Sequence, residues 1–238
     1  FVFRVEAQSY AALSNALFMP LLAVATLATV APVVLSALMR AWTSFVPQSL
    51  WNAWYLARHT ARYGLSLSAS VETPIMVGFG LVAGIASLSN MLAFYAQQQN
   101  LLDYKTSLDF TSSLLMMGGT VLLCAIGAAV RVVMTSKSRT RDVALLIAGG
   151  ARPRTLLAAA ACEAFIHAVT ATLAGMAAVV VSNAVTAYAV GMPLFDGLAF
   201  GEGLAVSLAG FVLVLAATLV PTLAALGKEP ATVLAMGE

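Results

Sequence analysis

Apolar positions in this chain fall into long blocks, and polar positions gather in the gaps between them. Ala16 to Met39, Thr73 to Tyr95, Phe110 to Val130, Thr155 to Ala189 and Leu204 to Leu226 are each long and apolar enough to be helices crossing a bilayer core of about 30 Å. The fourth block would run roughly 50 Å at about 1.5 Å per residue, so its first two turns, up to Glu163, are expected to stand in the cytoplasm or the interface. Pro32 predicts a kink in the first block, of a kind that neighbouring helices absorb. In the second block Gly80 and Gly84 form a GxxxG pair beside Gly78, and two readings stand: a close helix contact, or glycines that are merely tolerated.

The gaps differ in kind. Ser49 to Gly64 combines Trp51, Trp54 and Tyr55 with Arg58, His59 and Arg62, which predicts an interfacial helix with rings at the headgroup level and charges in water or on anionic lipid. His59 reads there as one more solvated or lipid-facing cation in preference to a proton relay. Gln97 to Asp109, and a second stretch with Pro193, Asp196 and Glu202, are short polar connections. The most polar gap, Arg131 to Glu163, carries six of the twelve Lys and Arg residues: Arg131, Lys137, Arg139, Arg141, Arg152 and Arg154. Inside it, Thr140 to Ala148 sets Val143, Leu146 and Ile147 at helical spacing, so a short amphipathic helix ended by Gly149 and Gly150 is predicted.

Composition removes the soluble alternative. With 61% hydrophobic and 9% charged residues and a mean hydropathy of +0.93, the chain has too little polar surface to face water all round. A net charge of +2 gives no reason to expect a nucleic-acid partner. Placing the gaps on alternate sides puts Arg40, Arg58, Arg62, the six basic residues above and Lys228 in the cytoplasm, leaving only Arg4 and Lys105 outside. The expected fold class is therefore an all-α integral membrane protein: five transmembrane helices, N-terminus outside and C-terminus cytoplasmic, with an interfacial helix and a cytoplasmic helix. Cys124 and Cys162 lie in or beside apolar helices without metal-ligand spacing and read as packing residues. The chain opens on Phe1 rather than Met, which points to a fragment or a processed chain.

The basic run, then Arg141-Asp142-Val143-Ala144-Leu145-Leu146, then Gly149, Ala151 and Arg152, then an apolar helix entered through Glu163, resembles the permease domain of the FtsX-like (MacB-like) ABC transporters. The family pattern is roughly R-R-E-I-A-L-L-R-A-L-G-A-S with a Glu further on, and the resemblance runs from about Trp51 to the end of the chain. Asp142 stands where Glu is usual, and Ala148-Gly149-Gly150 where Leu-Gly is usual.

The resemblance implies a non-catalytic permease subunit in a bacterial plasma (inner) membrane, working with a separate ABC ATPase dimer. It would transmit ATP-driven motion across the membrane for export, extrusion or signalling. Coupling to the ATPase would fall to Arg139, Arg141, Asp142, Val143, Leu145, Leu146, Ile147 and Gly149. ATP and Mg would be held by the partner, with no cofactor in this chain. Further partners are the remainder of the permease or a second permease subunit, membrane lipid, and, left open, an extracytoplasmic substrate-binding or effector protein. A weak internal repeat, Ala28-Thr29-Val30-Ala31-Pro32 against Ala217-Thr218-Leu219-Val220-Pro221, adds that residues 1–47 are the last helix of a preceding module. Residues 48–238 would then be a four-helix module with spans at about 73–95, 110–130, 164–189 and 204–226.

Sites for chemistry are sparse. Gly227-Lys228 is followed by Glu229 and makes no phosphate-binding loop, and no nucleophile, paired-carboxylate or Cys/His constellation marks an enzyme. Glu163 and His167 stand one helical turn apart within an apolar block. They read as a metal or proton site, or as a structural ion pair in which Arg131 or Arg154 is the partner of Glu163. Two other functions stand beside the permease: a secondary transporter, with Asn90 and Asn183 as its polar candidates, and a regulatory scaffold for a cell-wall hydrolase or sensor kinase.

Overall fold

The computed structural model describes residues 18–47, 51–63, 65–98, 142–190, 193 and 197–226, together with positions 115, 118, 119, 122, 126, 127 and 130. Every regular element among the described residues is helical. In chain order these are α1 (Met19–Ser44), α2 (Asn52–Tyr63), α3 (Leu65–Gln98), a short helix at 142–148, α4 (Pro153–Val190) and α5 (Phe200–Leu226).

Four stretches are long and apolar enough to span a membrane: Met19–Ser44, Val71–Phe94, Pro153–Tyr188 and Phe200–Ala224. They coincide with four of the five expected blocks. The block at 110–130 lies mostly outside the described residues, although its described positions are helical. Within the chain α3 is the most enclosed, with 78% of its apolar window buried against 17% for α1 and 22% for α5. Two of these helices therefore keep broad apolar faces for lipid, as exposed Val30, Val33, Leu208 and Val212 illustrate. Pro32, Pro74 and Pro221 lie inside α1, α3 and α5, and each removes one backbone donor from its helix.

The chain divides into two compact units. The first takes residues 1–31, 75–124 and 172–207, and the second residues 32–74, 125–171 and 208–238, so that each long helix contributes to both.

The first unit is held by close backbone approach. A Cβ on Gly80 would stand 2.6 Å from Val24 Cγ2, and one on Gly84 would stand 2.9 Å from Pro20 Cβ. Pro20 and Val24 are themselves four residues apart, so one turn of α1 nests on the GxxxG pair of α3, and the contact reading of those glycines is the right one. Fully buried Phe79 packs with Ala83 and Val179 and is lodged against Gly175 and Gly203. Ser87 Oγ accepts a hydrogen bond from the Ala199 N–H at 2.9 Å, which fixes the chain just before α5 begins.

In the second unit, Met39, Ala57, Ala61 and Ile166 form a core on which Trp42, Trp54 and Cys162 pack. Cys162 is thus the packing residue expected of it; Cys124 lies outside the described residues. The helix α2 is seated through Ala53, Ala57 and Ala61, three small residues spaced by four. Tyr55 on it and Trp51 just before it are exposed, as an interfacial helix requires. Arg58 is only 6% exposed, so of the two settings expected for these charges, open water does not describe it. Arg58 stands about 100° round the helix from Ala57, at the flank of the alanine face.

Candidate functional site

The short helix is closed by its two glycines. The Ala151 N–H bonds the Leu146 carbonyl and the Gly150 N–H bonds the Ile147 carbonyl, both at 2.9 Å, with Gly150 at φ 89°. This pairing is a Schellman ending, which needs a left-handed residue at that position. Two residues later α4 begins with Pro153 at its first position, where a missing N–H costs nothing, and the Arg152 carbonyl accepts from Thr155 at 2.9 Å. The turn from short helix to α4 is therefore specified by local sequence, and Ala148-Gly149-Gly150 gives the helix a definite end.

The faces of this helix differ from expectation. Val143 is buried and packs with Leu156, and Leu56, Ile147, Ala151 and Leu226 complete the cluster. Leu145 and Leu146 point outward, 53% and 38% exposed. Val143, Leu146 and Ile147 were expected to meet a partner together. Instead Val143 and Ile147, four residues apart on one side, are taken up by this chain's own leucines. Asp142 and Gly149 are exposed, as are Arg152 and Arg154; Arg131, Arg139 and Arg141 lie outside the described residues.

A second constellation lies in α3 and α4. His167 Nδ1 is 2.7 Å from Glu72 Oε1, and His167 Nε2 is 3.8 Å from Glu163 Oε1. All three side chains are buried, Glu72 completely, and Glu72 Oε2 has no hydrogen-bond partner among the described residues. The two ring nitrogens point away from each other, so the imidazole bridges the carboxylates and cannot gather them round one metal ion. A bridge of this kind can hold protons or pass one along. No three His, Cys, Asp or Glu side chains among the described residues are placed to hold one metal ion together.

The pairing of Glu163 with Arg154 does not fit the helix. Nine residues of α4 separate them, which is two and a half turns and roughly 13 Å, on opposite faces. Arg131, the other expected partner of Glu163, lies outside the described residues. Glu72 escaped the sequence reading because it sits at the border of an apolar block. Its signal was isolation: it is the only acidic residue between Glu6 and Asp103.

The third constellation is basic. Arg62 on α2 donates from Nη2 to Thr43 Oγ1 at 3.0 Å and to the Arg40 carbonyl at 3.3 Å, on the last turns of α1. Burial, then the nearby charges of Arg58 and Arg40, hold the Arg62 guanidinium below its ordinary pKa. His59 stacks on Tyr55 with ring centres 4.4 Å apart.

Comparison with known families bears on residues 114–230, which match the family model described as FtsX-like permease C-terminal. The match takes in the short helix, its glycine ending, Glu163, His167 and α5. It starts well beyond Trp51, the point from which the resemblance was expected to run. No curated protein and no solved structure matches the chain. Residues 114–230 are thus an FtsX-like permease domain, carried in a multi-pass membrane protein.

Proposed function

We propose that this chain is the non-catalytic permease subunit of an ABC transporter in a bacterial plasma membrane, with five spans, an outside N-terminus and a cytoplasmic C-terminus. A separate ATPase dimer binds ATP and Mg, and its closure pushes on the short helix at 142–148. The carrying observation is the seating of that helix. Val143 and Ile147 key it to Leu56 of α2, Leu156 of α4 and Leu226 of α5, while Leu145 and Leu146 are left outward. A helix gripped on one side by membrane helices and apolar on the other suits the relay of a push. Lodged in a groove of the ATPase, the two leucines would be the buried anchors that carry most of an interface's energy.

Replacing Leu146 with Asp would place an unpaired charge in that groove while leaving Val143 and Ile147 seated. The expected outcome is a permease that inserts normally but no longer copurifies with its ATPase or couples its hydrolysis. Wild-type stoichiometry and turnover with the Leu146→Asp permease would refute the reading and leave the helix as one that lies on lipid.

A secondary transporter is the second reading, and Glu72, His167 and Glu163 favour it, because titratable groups buried in membrane helices are the usual means of coupling transport to protons. Reconstitution separates the two: vanadate-sensitive dependence on ATP supports the permease, and transport driven by a pH gradient without ATP supports the rival.

A further inference from the structure

We propose that Arg40, Arg58 and Arg62 form a binding site for a phosphate group, and that its occupant is the phosphodiester headgroup of an anionic lipid. Arg62 is fixed where α2 meets the end of α1 by its bonds to Thr43 and to the Arg40 carbonyl, and it lies within reach of the charges of Arg58 and Arg40. No acidic side chain among the described residues pairs with any of the three. The one described carboxylate close to them in sequence, Glu72, is engaged by His167.

Arg58 makes the cluster more than a solvated basic face. It is only 6% exposed, and among the described residues its Nε has no partner, nor has the Nε of Arg62. A buried guanidinium without a counter-charge is unfavourable, and an anion bound beside it would remove that cost. Burial first, and then the charges of Arg58 and Arg40, lower the pKa of Arg62.

The setting selects the anion. Tyr55 on α2 and Trp51 just before it are exposed, and Trp54 packs edge-on against Trp42 with ring centres 6.2 Å apart. Exposed Trp and Tyr beside apolar helices mark the headgroup level of a bilayer. The abundant anion at that level is lipid phosphate, and the planar guanidinium fork matches its oxygens better than an ammonium group does.

The test uses the full chain purified in a neutral detergent, with its melting temperature followed as phosphatidylglycerol, phosphatidylcholine or inorganic phosphate is added. Phosphatidylglycerol is expected to raise the melting temperature by several degrees more than phosphatidylcholine, and Arg58→Gln to abolish the difference. Arg58→Lys should restore only part of it, since charge returns without the fork. Should Arg58→Gln fail to fold, Arg40→Gln, an exposed position, is expected to halve the difference or better. Inorganic phosphate alone reproducing the full shift would keep the phosphate site and overturn the lipid as its source. Equal shifts from the two lipids, or an undiminished difference in the arginine variants, would overturn the proposal.

Discussion

The two units of the molecule solve the problem of packing helices in lipid by opposite means. The first relies on closeness: Gly80, Gly84, Gly175 and Gly203 each lie where a single added carbon would stand under 3.0 Å from a neighbour. Its buried polar groups, such as Ser87, Ser182, Asn183 and Thr186, are neutral. The second unit holds all four of the buried titratable side chains among the described residues, Arg58, Glu72, Glu163 and His167. Van der Waals contact must supply most of the association energy between helices where lipid tails are as apolar as the side chains. Such contact has one good arrangement. Charged and hydrogen-bonded groups can exchange protons, ligands or partners and so have several. The first unit is built to keep its geometry, and the second holds the groups that can change state.

The sharpest way to break this contrast is at Glu72. Replacing it with Ala strips His167 of its 2.7 Å partner and leaves a buried imidazole facing only Glu163 at 3.8 Å. Removing one member of a buried pair costs about 3–5 kcal/mol. The Glu72→Gln form removes the same charge but retains an oxygen that accepts from the ring N–H, so it should lose less than Ala by about the 1 kcal/mol of one hydrogen bond. Unfolding of both variants in detergent measures the two losses. If Ala and Gln prove equally mild, the cluster is not held by charge and the second unit loses its distinction.

Next in size is the packing of Phe79. An alanine at Gly203 would bring its Cβ within 2.7 Å of Phe79 Cε2 and 2.8 Å of Ala83 Cβ, in a site where Phe79 has no exposed surface into which to retreat. Overpacking of this kind costs about 1–3 kcal/mol. Combining Gly203→Ala with Phe79→Leu should cost less than the sum of the single changes, because the second relieves the first. Strict additivity in a double-mutant cycle would mean that the two residues do not share a contact, and the account of the first unit would fail.

The helices were legible in the sequence because a spanning helix must be apolar over its whole length, and that pattern is local. The closing of the short helix at Gly149 and Gly150 was legible for the same reason. What local pattern did not reveal was which face each helix buries. Val143 and Ile147 turn inward because Leu56 and Leu226 lie there, contributed by residues more than seventy positions away on either side. Arg58 is buried on a helix whose Ala57 and Ala61 pack with Met39 and Ile166, and Glu72 meets His167 across 95 positions of chain. Such partners exist only once the helices have assembled. The isolation of Glu72 from every other acidic residue was the one sequence signal that could have found it, and that signal does not name a partner.

The mildest expected effect lies at Trp42, where the second unit makes a neutral contact of the sort that dominates the first. Trp42 Nε1 donates to Thr170 Oγ1 at 2.9 Å, and the same hydroxyl donates to the Ile166 carbonyl at 2.7 Å. Phenylalanine at position 42 keeps an aromatic ring against Trp54 and removes only the N–H, so Thr170 loses one incoming bond and keeps its outgoing one. A neutral hydrogen bond of this kind contributes about 1 kcal/mol. The loss should be smaller than that of Glu72→Ala by a factor of about three, since no charge is left unpaired. Thr170→Val should cost slightly more than Trp42→Phe, because it leaves the indole N–H without an acceptor, and the double variant should cost less than the sum. Unfolding of the three variants in one detergent decides it. A loss at Trp42→Phe as large as that at Glu72→Ala would show that the stability of this unit does not depend on its charges.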